Sequence, residues 1–338
     1  MGALSRVTWR SFLKAFHSRA PQKQWISRPL PPVLWSKGYS QSCDFKGSDD
    51  YWLLDTESRQ TDSFFREHYS SARGLVWVRV GSRSREGLPC DLDTFVTAAL
   101  PSIRDPFILI TGDGDASVPA DLRKDTVERL LASPWLTKWH TQNFVGRAGG
   151  KIASLPIGLD LHSSRLPGGP EGSFSLLRKI SRGRIPAPES RLRVFCDLGV
   201  NLVSDERKRA NAALKDCGHV DFLRRRVSQR TIWKRYADYP FVLSAPGHGL
   251  DCHRTWELVY LGCIVITKTS PLDPLFDGLP VVIVDDWKEV RDMAKLEKWR
   301  EEFAPLASYE RIWERLRPAA YIDPLRNALD SADNEIPN

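Results

Sequence analysis

The stretch 240-PFVLSAPGHGLDCHRTWELVYLGCIVITK-268 decides the fold. An apolar run ends at Ala245, a Pro-Gly-His-Gly turn follows, and an amphipathic segment leads from Asp251 to a second apolar run, 263-CIVIT-267. Strand, turn, helix and strand in this order read as a parallel β-α-β unit. Gly247 and Gly249 let the backbone turn tightly and let a ligand come close to main-chain N–H groups. Asp251 stands where an N-cap is expected.

The same alternation extends in both directions. Upstream, strands are predicted at 51-YWLLD-55, 75-LVWVRV-80, 107-FILITG-112, 137-TKWHTQNF-144 and 152-IASLPI-157. Helices are predicted between them at 93-DTFVTAAL-100 and at 119-PADLRKDTVERLLAS-133, the second with Pro119 in its first turn. Residues 163–190, rich in Gly, Pro, Ser and Arg, break the pattern and are read as a linker or hinge. Strand 191-RLRVFCDLG-199, a helix from Ser204, strand 219-HVDFL-223, a basic helix over Ser228 to Ala237 and strand 281-VVIVDD-286 complete a second half, with a helical tail after Lys288. The expected organisation is a basic arm over 1–47, an α/β half over 48–162, the hinge over 163–190, and a second α/β half over 191–330.

Composition fits a folded protein of this size: 338 residues, 41% hydrophobic and 27% charged. No run of about 18 apolar residues is present to span a bilayer. Forty-nine Lys and Arg against 42 Asp and Glu give a net charge of +7, which favours an anionic ligand without naming it. The six cysteines are widely scattered and form no C-x-x-C pair, so they read as buried free thiols of a reducing compartment. The twelve tryptophans fit either stacking on a ligand or plain core packing. The first 43 residues hold seven basic side chains and no acidic one, with Trp9, Phe12, Leu13 and Phe16 at roughly helical spacing. This segment reads as a targeting peptide, a helix lying on a membrane surface, or a loosely packed arm. A secretory h-region is absent, and an intracellular, soluble protein is expected.

At the turn after Ala245, the free N–H groups of the following helix and its dipole form an anion site. Arg254 lies in the first turn, within reach of a diphosphate at the same place. Glu257, one turn deeper on the same face, can accept two hydrogen bonds from a ribose diol. The glycines match neither the dinucleotide fingerprint nor the G-x-x-x-x-G-K-[ST] phosphate loop. The competing reading is structural: a Gly turn feeding a helix on which Arg254 and Glu257 form a surface ion pair.

Over about residues 190–290, the strand, the P-G-x-G turn, the Arg-x-x-Glu helix and 262-GCIVIT-267 resemble the C-terminal domain of exostosin-like glycosyltransferases. The family's G-C-hydrophobic-P-V strand has Ile264 and Val265 here and no proline. The run from 110-ITGDGDASVP-119 through 139-WHTQNF-144 to 154-SLPIGLD-160 resembles viral and microbial members. The resemblance implies GT-B architecture, two Rossmann-like domains facing across a cleft. It also implies inverting transfer from a nucleotide-diphosphate sugar, a UDP sugar foremost, to a hydroxyl of a glycan or glycoconjugate. His248, Gly249, Arg254 and Glu257 would hold the donor together with Gly247, and Lys268 would add a phosphate contact. No cofactor is required on this reading; the donor is a co-substrate, and arginine charge replaces a metal.

Asp113 and Asp115 in 112-GDGDAS-117 follow a strongly apolar strand. Three readings stand: a metal-binding Asp-x-Asp pair, a general base or acceptor contact on the wall facing the donor, and a turn whose carboxylates bind their own backbone. Asp113, nearer the strand end, is the preferred base and Asp115 an acceptor contact. His140 is the rival base, with Trp139 and Asn143 placed on the acceptor side at a strand end. Asp160 reads as structural. Arg207 is assigned to the diphosphate from its place after 198-LGVN-201. The run 224-RRRVSQRTIWKR-235 suits a solvated helix face, nucleic acid, or an anionic acceptor. A non-catalytic nucleotide- or carbohydrate-binding protein and a basic nucleic-acid-binding protein are the alternatives to the enzyme. Peripheral membrane contact is expected only through the basic N-terminus.

Overall fold

The computed structural model describes residues 31–53, 59–81, 89–147, 149–163, 166–184, 186–187 and 190–333. The basic amphipathic start therefore lies outside the described residues up to position 30. The first half opens with three short helices, α1 (Ser36–Ser42), α2 (Asp49–Leu53) and α3 (Asp62–Tyr69). It continues through β1 (Gly74–Arg79), α4 (Asp91–Ala98), β2 (Phe107–Gly112), α5 (Lys124–Ala132), β3 (Leu136–Thr141) and β4 (Ile152–Ser154). These four strands form one parallel sheet in the order β1-β2-β3-β4. Helix α6 (Gly169–Arg182) leads to β5 (Val194–Cys196), α7 (Asp205–Leu214), β6 (Val220–Phe222), α8 (Gln229–Ala237) and β7 (Phe241–Leu243). Then come α9 (His253–Tyr260), β8 (Ile264–Lys268), β9 (Val281–Val284), α10 (Met293–Phe303), α11 (Tyr309–Arg315) and α12 (Ala319–Asp333). The second sheet is also parallel, in the order β6-β5-β7-β8-β9. The fold is α/β, with two parallel sheets, of four and five strands.

Runs that are apolar without alternation make these strands. Leu75 to Val78, Phe107 to Ile110 and Ile264 to Ile266 are each 1% exposed or less, as a parallel sheet covered on both faces requires. One apolar cluster runs from Val33 through both sheets to Leu329, and a second fills the opposite face of the second sheet around Cys196, Leu214 and Ile266. Helix α12 returns to pack on β1 and β2, and Arg326 pairs with Asp44 at 3.1 Å. Of the tryptophans, Trp35, Trp77, Trp139, Trp233 and Trp256 are fully buried. The tryptophan surplus is core material in these five. All six cysteines are free, five of them buried and Cys252 half-buried.

Several expectations need correction. Tyr51 to Leu53 is helical: Asp49 and Asp50 supply an acidic first turn, and the short helix is enclosed so that all three apolar side chains are buried. Residues 54–55 of that run lie outside the described residues. Pro119 precedes its helix in a turn, and α5 begins only at Lys124. Residues 163–190 hold the fourteen-residue α6, with Pro170 in its first turn and Ser173, Phe174 and Leu177 buried on one face. Arg184, just past α6, donates to the Leu261 and Tyr239 carbonyls, so this segment docks on the second half. The arm is also shorter than expected. Val33, Leu34 and Trp35 are buried, and Leu34 exchanges backbone hydrogen bonds with Leu316 and Leu159.

Candidate active site

In the second sheet, β5 lies between β6 and β7, and the chain winds away from β5 in opposite directions to reach them. Ligands of open α/β sheets bind outside the carboxyl ends of the strands at such a switch point. There β5 runs into Asp197 and β7 runs into the Pro246–Gly249 turn. A cavity of about 490 Å³ opens at this place, lined by Asp197, Asn201, Arg207, Gly247 to Gly249, Asp251 to Arg254 and Glu257. Asp115 and Ile157 of the first half close its other wall.

Three arginines line this cavity, the exposed Arg226 and the more deeply set Arg207 and Arg254. Arg207 reaches it from α7 and donates to the carbonyls of Pro246 (3.1 Å) and Asn201 (3.2 Å). Burial, and after it the charge of Arg254, draw its pKa below the ordinary arginine range. Arg254, in the first turn of α9, meets Asp197 Oδ2 at 3.3 Å, and Tyr236 donates to the same oxygen at 2.7 Å. Burial works against the Arg254 charge, but Asp197 and the groups around it outweigh that and hold its pKa above the usual range. Arg254 Nη1 is buried and makes no hydrogen bond. Asp197 Oδ1, on the carboxylate that faces Arg254, is likewise buried without a hydrogen bond, so this buried pair is incompletely satisfied.

The two turn glycines leave room for close side-chain neighbours and do not adopt a left-handed backbone. A Cβ on Gly247 would stand 2.9 Å from Arg207 Nη2, and one on Gly249 would stand 3.0 Å from Asn143 Nδ2 and 3.2 Å from Asp115 Oδ1. Helix α9 begins at His253 with Cys252 as its N-cap, so Asp251 is not the cap. Asp251 is instead buried. It accepts the Ile157 N–H at 2.7 Å and the Trp256 indole N–H at 2.8 Å. Burial raises its pKa to about 6 despite these donors. Glu257 is also buried in the wall, with Trp233 and Gln229 donating to its Oε2 at 3.0 and 3.3 Å. The surface ion pair of Arg254 with Glu257 is therefore not formed; each has its own buried partners.

The two aspartates after β2 part company. Asp113 forms a close buried ion pair with Lys37 of α1, whose side chain is 1% exposed. Burial would raise the Asp113 pKa, but Lys37, with His162 and Arg79, outweighs it and holds the carboxyl below the usual range. A carboxylate so stabilised is a weak base, and Asp113 is not among the cavity residues. Asp115 faces the cavity. The Asp-x-Asp metal reading thus has one of its two carboxylates committed to Lys37.

His140 also lies away from the cavity. On β3, Trp139 and Thr141 point to the buried face and His140 to the other, where burial and Lys138 lower its pKa to about 4. Trp139 is a core residue whose indole donates to Thr111 at 2.8 Å, and it is not among the residues that line the cavity. Asn143 is 1% exposed; its Oδ1 accepts the Asp251 backbone N–H at 2.7 Å, joining the halves. Lys268 folds back onto the Asp285 carbonyl at the end of β8. His248 lines the cavity and is exposed. The sequence reading passed over Asp197 and Lys37. Asp197 carried a signal, since it directly follows an apolar strand at the switch point.

No known protein family matches the sequence, and no curated protein sequence matches it. Among solved structures, the chain is similar to a UDP-forming α,α-trehalose-phosphate synthase from Burkholderia xenovorans, at 11% identity over 77% of this chain and 74% of that one, with a TM-score of 0.44. An α,α-trehalose-6-phosphate synthase from Burkholderia multivorans is similar at 13% identity over 77% and 72%, TM-score 0.42. AviGT4, a glycosyltransferase involved in avilamycin A biosynthesis, is similar at 14% identity over 77% and 99%, TM-score 0.31. At these values the likenesses add nothing to the site. The class of this protein follows from its own two sheets: an α/β protein of two parallel sheets with an arginine-lined cavity at the switch point of the second.

Proposed function

We propose that the protein is a glycosyltransferase that takes a nucleotide-diphosphate sugar, a UDP sugar foremost, in the cavity between its halves. The observation that carries this reading is the gathering of Arg207, Arg226 and Arg254 in one cavity beside the glycine turn that starts α9. A diphosphate would lie against these guanidiniums and the start of α9. Glu257, oriented by Trp233 and Gln229, would accept from the ribose diol, and Val200, Leu223, Val227 and Ile232 would offer an apolar recess for the base. The resemblance to exostosin-like enzymes over about residues 190–290 supports inverting transfer to a hydroxyl of a glycan or glycoconjugate.

On this reading the developing charge of the leaving diphosphate is met by fixed guanidinium charge instead of a metal. Asp115, on the opposite wall, replaces Asp113 as the group that takes the proton of the attacking hydroxyl. The test is a transfer assay that follows UDP release from a panel of UDP sugars with mixed glycan acceptors, run with and without chelator. Turnover that survives chelator supports the reading. Stabilisation by UDP without turnover on any pair would leave only a nucleotide-binding protein.

A further inference from the structure

Asp160, His162 and His253 form a cluster that glycosyl transfer leaves unused. One ligand atom from each lies within 4.8 Å of the other two. They come from distant parts of the chain. Asp160 and His162 follow β4, where the first half passes towards α6, and His253 opens α9 on the rim of the cavity. Asp160 is buried and the two histidines are half-buried. The imidazole rings stand 5.3 Å apart at 57°.

The surroundings orient these groups. His253 Nδ1 lies 2.8 Å from the Gly158 carbonyl, which can only accept, so Nδ1 carries the proton and the lone pair is on Nε2. A backbone carbonyl on one imidazole nitrogen is the usual device that presents the other nitrogen to a metal. Asp160 Oδ1 is held by the Ser163 backbone N–H at 3.0 Å and lies 3.3 Å from His162 Nδ1. The Ser36 hydroxyl stands 3.2 Å from the same nitrogen.

We infer that Asp160, His162 and His253 bind one divalent transition-metal cation, Zn²⁺ foremost, at the seam between the halves. Two imidazoles and one carboxylate suit zinc and its neighbours, whereas magnesium and calcium prefer oxygen donors. Metal–ligand distances of about 2.0–2.2 Å place tetrahedral ligands roughly 3.3–3.6 Å apart, so the three side chains need close by only about an ångström. Water would complete the set, as at three-ligand sites. The bound ion would tie the passage after β4 to the start of α9. This inference does not rest on the proposed glycosyl transfer, and its test uses the metal alone.

The experiment is equilibrium dialysis of the chelator-treated full chain against Zn²⁺, followed by visible absorption of the Co²⁺-loaded protein. One metal per chain is expected, with tetrahedral Co²⁺ bands. Affinity should fall at least about tenfold in His162→Ala and in Asp160→Asn. Should either variant lose its native circular dichroism, His253→Gln supplies the same comparison. The Cys217 thiol, 3.3 Å from His219 Nε2, is a separate sulfur–imidazole pair to control for, and Cys217→Ser should leave binding unchanged. Absence of stoichiometric binding overturns the inference. So does binding that survives loss of His162 and His253 or disappears with Cys217.

Discussion

Asn143 Oδ1 accepts the backbone N–H of Asp251 at 2.7 Å, and this bond joins the end of the first sheet to the turn that starts α9. Both residues are buried, and Asn143 sits at a φ of 54° that asparagine tolerates better than most residues. Its amide nitrogen donates to the Gly114 carbonyl at 3.1 Å, so one side chain fixes the spacing between the Asp115 loop and the Gly249 turn. Asn143→Ala leaves the Asp251 N–H buried and unpaired. A loss of about 1–3 kcal/mol in urea unfolding is expected.

Asp251 gives the fold a pH dependence of defined sign. Its pKa rises from 3.8 to about 6 in the folded protein because burial penalises the carboxylate. The folded state therefore favours the protonated group. The contribution to stability is fully present below about pH 4 and is lost as pH rises through about 6. The change amounts to on the order of 3 kcal/mol. Asp251→Asn should abolish this slope. Urea titrations of wild type and variant at pH 4, 5, 6 and 7 compare the two curves.

Lys37 and Asp113 are stability residues. Lys37→Ala strands a buried carboxylate and should cost about 3–5 kcal/mol. Lys37→Met combined with Asp113→Asn should recover most of that loss, which thermal or urea unfolding of the single and double variants measures.

Asp115 carries the proton-transfer role in the proposed reaction. Asp115→Asn should lower kcat by about 10²–10⁴-fold while UDP binding is retained. Asp113→Asn, compared at a temperature where both are folded, should retain far more turnover. Steady-state kinetics beside calorimetric UDP titration separates the two.

Much of this was legible in the sequence, for local reasons. The runs around Ile108 and Ile264 are apolar without alternation, which suits buried parallel strands. Gly247, Gly249, Arg254 and Glu257 sit within one turn and one helix, so their meeting at one cavity needed no long-range information. The failures were non-local. Lys37 neutralises Asp113 from 76 residues away, and nothing beside either residue announces it. Trp139 and His140 are adjacent, and which of them faces the core depends on strand register, which the flanking residues do not set. Tyr51 to Leu53 is apolar without period, a pattern that fits either element until the acidic residues before it are weighed.

The account's central claim is that Arg207 and Arg254 hold a nucleoside diphosphate between the two halves. Isothermal titration of UDP into wild type, Arg207→Ala and Arg254→Ala tests it most directly. Saturable one-site binding is predicted, weakened about 10- to 100-fold by each substitution in proteins that keep the native circular dichroism. No binding of UDP to the wild type, or equal binding to all three proteins, would contradict it.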